Sequence, residues 1–189
     1  MSDPKLYMIL LGCRPKGRFT EQHDIFFGIA DTLKNLVPYI KNSWPEAKGN
    51  IHIDAWKEVS TLNGYRVLVT EKEPNKKEDS SLKLFFINLG GYRKDEFDEF
   101  HYKMIIPAAD AAGAVKIAKA TAFYKKSGFK GAASHIDDKF GLDVDDVYEV
   151  PDILPEEFRS KYKISIITDP AAEEDEIHLG YLQLWKIKD

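Results

Sequence analysis

KLYMILLG (residues 5–12) returns as KLFFINLG (residues 83–90), and the fold turns on whether the second stretch copies the first. Sliding the chain by 78 aligns Lys5 with Lys83, Leu6 with Leu84, Ile9 with Ile87, Leu11 with Leu89 and Gly12 with Gly90. The same offset aligns Phe19 with Phe97, Glu21 with Glu99 and His23 with His101. That makes eight identities in 19 positions, where unrelated segments of average composition give about one. An offset of 83 then aligns His52, Ile53 and Asp54 with His135, Ile136 and Asp137, and Tyr65 and Val67 with Tyr148 and Val150. The change of offset assigns five extra residues to the second copy, in or beside its helix. The period is longer than that of small solenoid repeats, so the copies are expected to pack as a pseudo-symmetric pair.

Each copy reads strand, strand, helix, strand, strand. LYMILLG (6–12) and LKLFFINLGG (82–91) are apolar runs ended by glycine, the pattern of buried strands. HDIFFGIA (23–30) and HYKMIIPA (101–108) supply the second strands. A helix is expected from Asp31, with Leu33, Leu36, Val37, Ile40 and Trp44 at helical spacing, and Pro38 kinks or splits it. Its counterpart runs over 110–126 with Asp110 as cap. The third strands carry the two His-Ile-Asp triplets, and the fourth carry Tyr65 and Tyr148. The tail segments YKISIIT (162–168) and IHLGYLQLWKI (177–187), joined by acidic DPAAEEDE (169–176), predict a C-terminal β-hairpin. The expected fold is therefore α+β: two pseudo-symmetric β-β-α-β-β repeats in mainly antiparallel sheets, helices on one face, plus that hairpin. The domain reading is repeat 1 over 1–70, a linker over 71–81, repeat 2 over 82–150 and an extension over 151–189.

The bulk composition narrows the class. Hydrophobic residues form 43% of the 189, enough for a real core and against global disorder. A net charge of -4 gives no general attraction to nucleic acid or anionic membrane. The single cysteine, Cys13, excludes an intramolecular disulfide and suits a reducing compartment. No apolar run reaches the length of a signal peptide or a membrane span, so a cytoplasmic protein is expected.

Five stretches together, GRFTEQHDIFFG (17–28), HIDAW (52–56), LFFINLGGY (84–92), TAFYK (121–125) and ASHIDDKFGLDVDDVY (133–148), resemble the bacterial domain of unknown function 1543 family. The resemblance spans residues 5 to 150. It implies the duplicated architecture and a bacterial source, and it implies no reaction, cofactor or catalytic residue.

The candidate chemistry lies in two short patterns. Alternate residues of a strand share a face, so His52 pairs with Asp54, and His135 with Asp137. Glu21 and His23, with Glu99 and His101, form the matching Glu-x-His pairs. If the two strands are neighbours, each copy gathers two imidazoles and two carboxylates, an inventory for a divalent metal or an acid/base pair. None of these spacings is a zinc signature, and structural hydrogen bonding is the favoured reading over a metal.

Other features carry less. GCRPKGR (12–18) lacks the Lys-Ser/Thr of a phosphate loop. Six lysines against one aspartate between Lys103 and Gly131 read as a solvated helix face, and nucleic acid is disfavoured. DDKFGLDVDD (137–146) fails the alternation of an EF-hand loop. No Gly-x-Ser-x-Gly, His-Glu-x-x-His or Cys-x-x-Cys occurs. The expected function is a module that binds a small molecule or a protein, with self-association as a homodimer through sheet edges. The alternative is a metal-dependent or acid/base enzyme built on the repeated pairs.

Overall fold

The computed structural model describes residues 3–62, 64–73, 81–92, 95–121 and 142–188. The chain divides into two compact units, Met1–Glu78 with Leu154–Asp189, and Asp79–Ile153. Every strand pairing in both is antiparallel among the described residues.

Unit 1 is built around β1 (Lys5–Cys13), whose side chains are mostly buried because strands flank it on both edges. β2 (Gln22–Ala30) lies on one edge and β3 (His52–Glu58) on the other. Leu6, Ile9, Leu11, Phe27, Ile29 and Ile53 form the core with Leu36 and Ile40 of the helical segment. That segment is split as the proline predicts. A 3-10 turn covers Leu33–Leu36, and α1 (Val37–Ser43) then starts with Pro38 in its first turn, where no amide is needed. Asp31 is not its cap; the carboxylate accepts from the Thr32 amide and the Asn35 side chain. β4 (Thr61–Leu62) and β5 (Tyr65–Glu71) follow.

The tail departs from the expected hairpin. After α3 (Glu156–Lys161), β9 (Tyr162–Thr168) pairs with β5, whereas β10 (His178–Gln183) pairs with β3. The two segments thus complete different sheets, ordered β4-β5-β9 and β10-β3-β1-β2. The acidic connection is anchored rather than turned back. Asp175 accepts from the amides and hydroxyls of Ser60 and Thr61 at 2.6–2.9 Å. Asp169 pairs with Arg66.

In unit 2, β6 (Lys83–Gly91) is flanked by β7 (Phe100–Ala108) and β8 (Leu142–Glu149). α2 (Ala111–Lys119) packs across all three strands, and its Ala114 and Ala118 are buried against Phe85, Ile87, Leu89 and Ile106. Asp110 caps it through the Gly113 amide at 2.7 Å, as the sequence predicts. His135 and Asp137 lie outside the described residues.

The register corrects the second alignment at Tyr148. Gly12 faces His52 across β3, and Gly90 faces Asp143 across β8. Asp54 and Asp145 are each skipped at a bulge one step on. Lys5 reaches Glu58 at 2.8 Å, and Lys83 reaches Glu149 at 2.8 Å. Strands β3 and β8 therefore occupy matching register positions at an offset of 91, and the His135–Asp137 part of the alignment at 83 lies outside the described residues. Tyr148 occupies the place of Lys57, opposite Phe86 as Lys57 is opposite Met8, and not the place of Tyr65.

Candidate functional site

Gly12 sits in the middle of three strands, with His23 opposite it on β2 and His52 opposite it on β3. A glycine at this level leaves a notch between the two imidazoles. A Cβ built on it would stand 2.3 Å from His52 Nε2 and 2.3 Å from Asp54 Oδ2, so no other residue fits unless those side chains move.

Four side chains meet over the notch. His52 Nε2 lies 3.1 Å from Glu21 Oε1 and 3.3 Å from Asp54 Oδ1. His23 Nε2 lies 3.3 Å from Asp54 Oδ2 and 3.8 Å from Glu21 Oε2. Each carboxylate thus spans both imidazoles, one oxygen to each, in an alternating ring. The His52 side chain is only 10% exposed. Its Nε2 and Asp54 Oδ2 make no well-aligned hydrogen bond despite these short separations. The sequence reading made this meeting conditional on β2 and β3 being neighbours; β1 in fact lies between them, and the four side chains meet across its Gly12. Among the described residues, no group of three or more His, Cys, Asp or Glu side chains is arranged to hold a metal ion.

Among the described residues, unit 2 holds a smaller version. His101 Nε2 lies 3.4 Å from Asp145 Oδ2, and a Cβ on Gly90 would meet that same carboxylate at 2.5 Å. Glu99 accepts instead from the Tyr92 hydroxyl, which raises the tyrosine pKa above its usual value. Asp145 was missed by sequence reasoning. The signal was the spacing Asp143-x-Asp145, which mirrors His52-x-Asp54 opposite the matching glycine.

The second element of the unit 1 site is a cleft of about 280 Å³ on the other side of β3. It is lined by Lys41 of α1, by Asn50 and His52, and by Tyr181, Gln183 and Trp185 from β10 and the turn after it, with Gly49, Ile51 and Leu184 completing the wall. A bulge in β10 makes this possible. Leu179 pairs with Ala55 and Leu182 with Ile53, so Gly180 and Tyr181 together stand against Asp54. Gly180 takes φ +124°, a conformation that side chains resist. The Tyr181 ring then packs on His52 with centroids 4.3 Å apart. Nearby, His178 stacks on Trp56 at 4.0 Å. Cys13 is buried, and its thiol pKa is raised first by that burial and then by Glu21. The loop over 14–20 is largely solvated, as expected for GCRPKGR.

Residues 18–69 match the family model described as Domain of Unknown Function (DUF1543), in agreement with the sequence resemblance. That segment contains Glu21, His23, His52 and Asp54. Among solved structures, the fold is similar to the crystal structure of protein Il1583 from Idiomarina loihiensis, with a TM-score of 0.64 and 20% identity. The match covers 96% of this chain and 99% of that one. No curated protein matches the chain. Among the described residues, no helix is long and apolar enough to cross a membrane.

Proposed function

We propose that the chain is a small-molecule-binding protein and that unit 1 holds the ligand in the cleft beside His52. The observation that carries this reading is the double use of one imidazole. Its Nε2 edge meets Glu21 and Asp54, while His52 also forms part of the cleft wall against Tyr181. A ligand in the cleft would touch a side chain whose position is set by two carboxylates. Small-molecule sites commonly combine aromatic walls with a few polar groups in this way. A thermal-shift panel of small metabolites on the full chain tests it. Hits should raise Tm in the wild type and lose their effect in Tyr181→Ala. Hits that persist unchanged in that variant contradict the reading.

The alternating ring favours a second reading, acid/base chemistry by Glu21, His23, His52 and Asp54, because imidazole and carboxylate already stand within proton-exchange reach. Its metal-dependent form is tested by the metal content of the purified protein, compared with His23→Ala. The shared glycine notch, the bulge and the Lys–Glu pair support reading the two units as copies of one ancestral unit. On that reading, unit 1 keeps the fuller site. Self-association through the β2 or β10 edge is a further proposal, tested by molar mass in solution against concentration.

A further inference from the structure

The cleft also carries information on what it takes, and this step rests on the reading of it as a ligand site. We propose that its ligand is a small planar anion, one aromatic ring bearing a carboxylate or an equivalent acid group. The size comes first: about 280 Å³ lies just below the usual range for drug-sized ligands and suits a single substituted ring. The walls come second. Tyr181 and Trp185 offer flat π surfaces, and Trp185 is 77% exposed, a large aromatic left largely uncovered.

Charge decides the rest. Among the described residues, no acidic residue lines the cleft, although the chain carries 31 acidic residues among 189. Lys41 is its one lysine or arginine among the described residues. Among the described residues, the Lys41, Asn50 and Gln183 side chains make no ion pair or hydrogen bond. Their polar ends are open to a ligand's oxygens. The carboxylates of Glu21 and Asp54 meet the Nε2 edge of His52 and do not line the cleft. A cation would find no counter-charge there, whereas an anion meets Lys41 and two amides.

Titration calorimetry on the full chain tests this with four probes: benzoate, benzamide, cyclohexanecarboxylate and benzylamine. Benzoate is expected to bind saturably, at least fivefold tighter than each of the others. Lys41→Gln, an exposed change that leaves the fold alone, should bring benzoate within twofold of benzamide. Tyr181→Ala should weaken both. Equal binding of benzoate and benzamide to the wild type overturns the anion assignment, as does a preference that survives Lys41→Gln. Equal binding of cyclohexanecarboxylate and benzoate overturns planarity. If benzoate fails while another thermal-shift hit binds and is lost in Tyr181→Ala, the ligand class falls and the cleft stands. If nothing binds at these residues, both fall.

Discussion

At the scale of single residues, Gly12 makes the site, because its missing side chain is the space in which two histidines and two acids meet. Gly12→Ala should destabilise the chain by about 1–3 kcal/mol, since the nine-tenths buried His52 has little room to yield. Urea unfolding measures this, and a change within error of zero would show that the notch is not filled as described. The ring should also behave as a unit. A double-mutant cycle between Glu21→Ala and His52→Ala is expected to give a coupling of about 0.5–1 kcal/mol. No coupling would mean that the 3.1 Å approach carries no energy. Tyr7 offers a pH signature. Its hydroxyl is buried beside Glu58, and burial first, then that negative charge, pushes its pKa from 10.0 up to about 12. A raised acid favours folding fully below pH 10, and the contribution is lost as pH rises through 12. The stability difference between wild type and Tyr7→Phe should therefore be flat below pH 10 and shift against the wild type above it. A flat difference throughout would contradict this. The pairing of Glu21 with His23 and of His52 with Asp54 was legible because alternation on strands needs only sequence, whereas their meeting across β1 depends on the sheet order. The role of Asp145 was not, since a repeated His-Ile-Asp outweighed a weaker Asp-x-Asp whose meaning depends on a bulge.

At the scale of elements, apolar runs marked β1 and β6 because strands flanked on both edges bury both faces. Capping chemistry marked α2, and Asp110→Ala should cost about 1 kcal/mol, read from thermal unfolding. Pro38 marked the split before α1. The tail was misread because local pattern identifies strands but not their partners. Two strands joined by eight residues look like a hairpin, yet each found an open edge elsewhere, on β5 and on β3. One carboxylate anchors the connection between them. Asp175 gathers two amides and two hydroxyls at the turn after β3. Asp175→Ala leaves those donors unmet and should cost about 1–3 kcal/mol. Amide exchange at Ser60 and Thr61 should quicken in that variant, and unchanged exchange would show that the anchor is not Asp175.

At the scale of the whole molecule, two units share one device, a central strand with a glycine facing histidine on one side and an acid-bearing bulge on the other. Only unit 1, among the described residues, adds the cleft that β10 completes. The repeat in the sequence pointed to the shared device, but it could not reveal the cleft, because β10 lies outside the repeat and more than a hundred residues from β3. The central claim is that the functional surface is this cleft beside His52. Amide NMR of the full chain during a benzoate titration tests it most directly. The account predicts saturable shifts concentrated at Asn50, His52, Tyr181, Gln183 and Trp185. Shifts that saturate elsewhere while these residues stay still would contradict it.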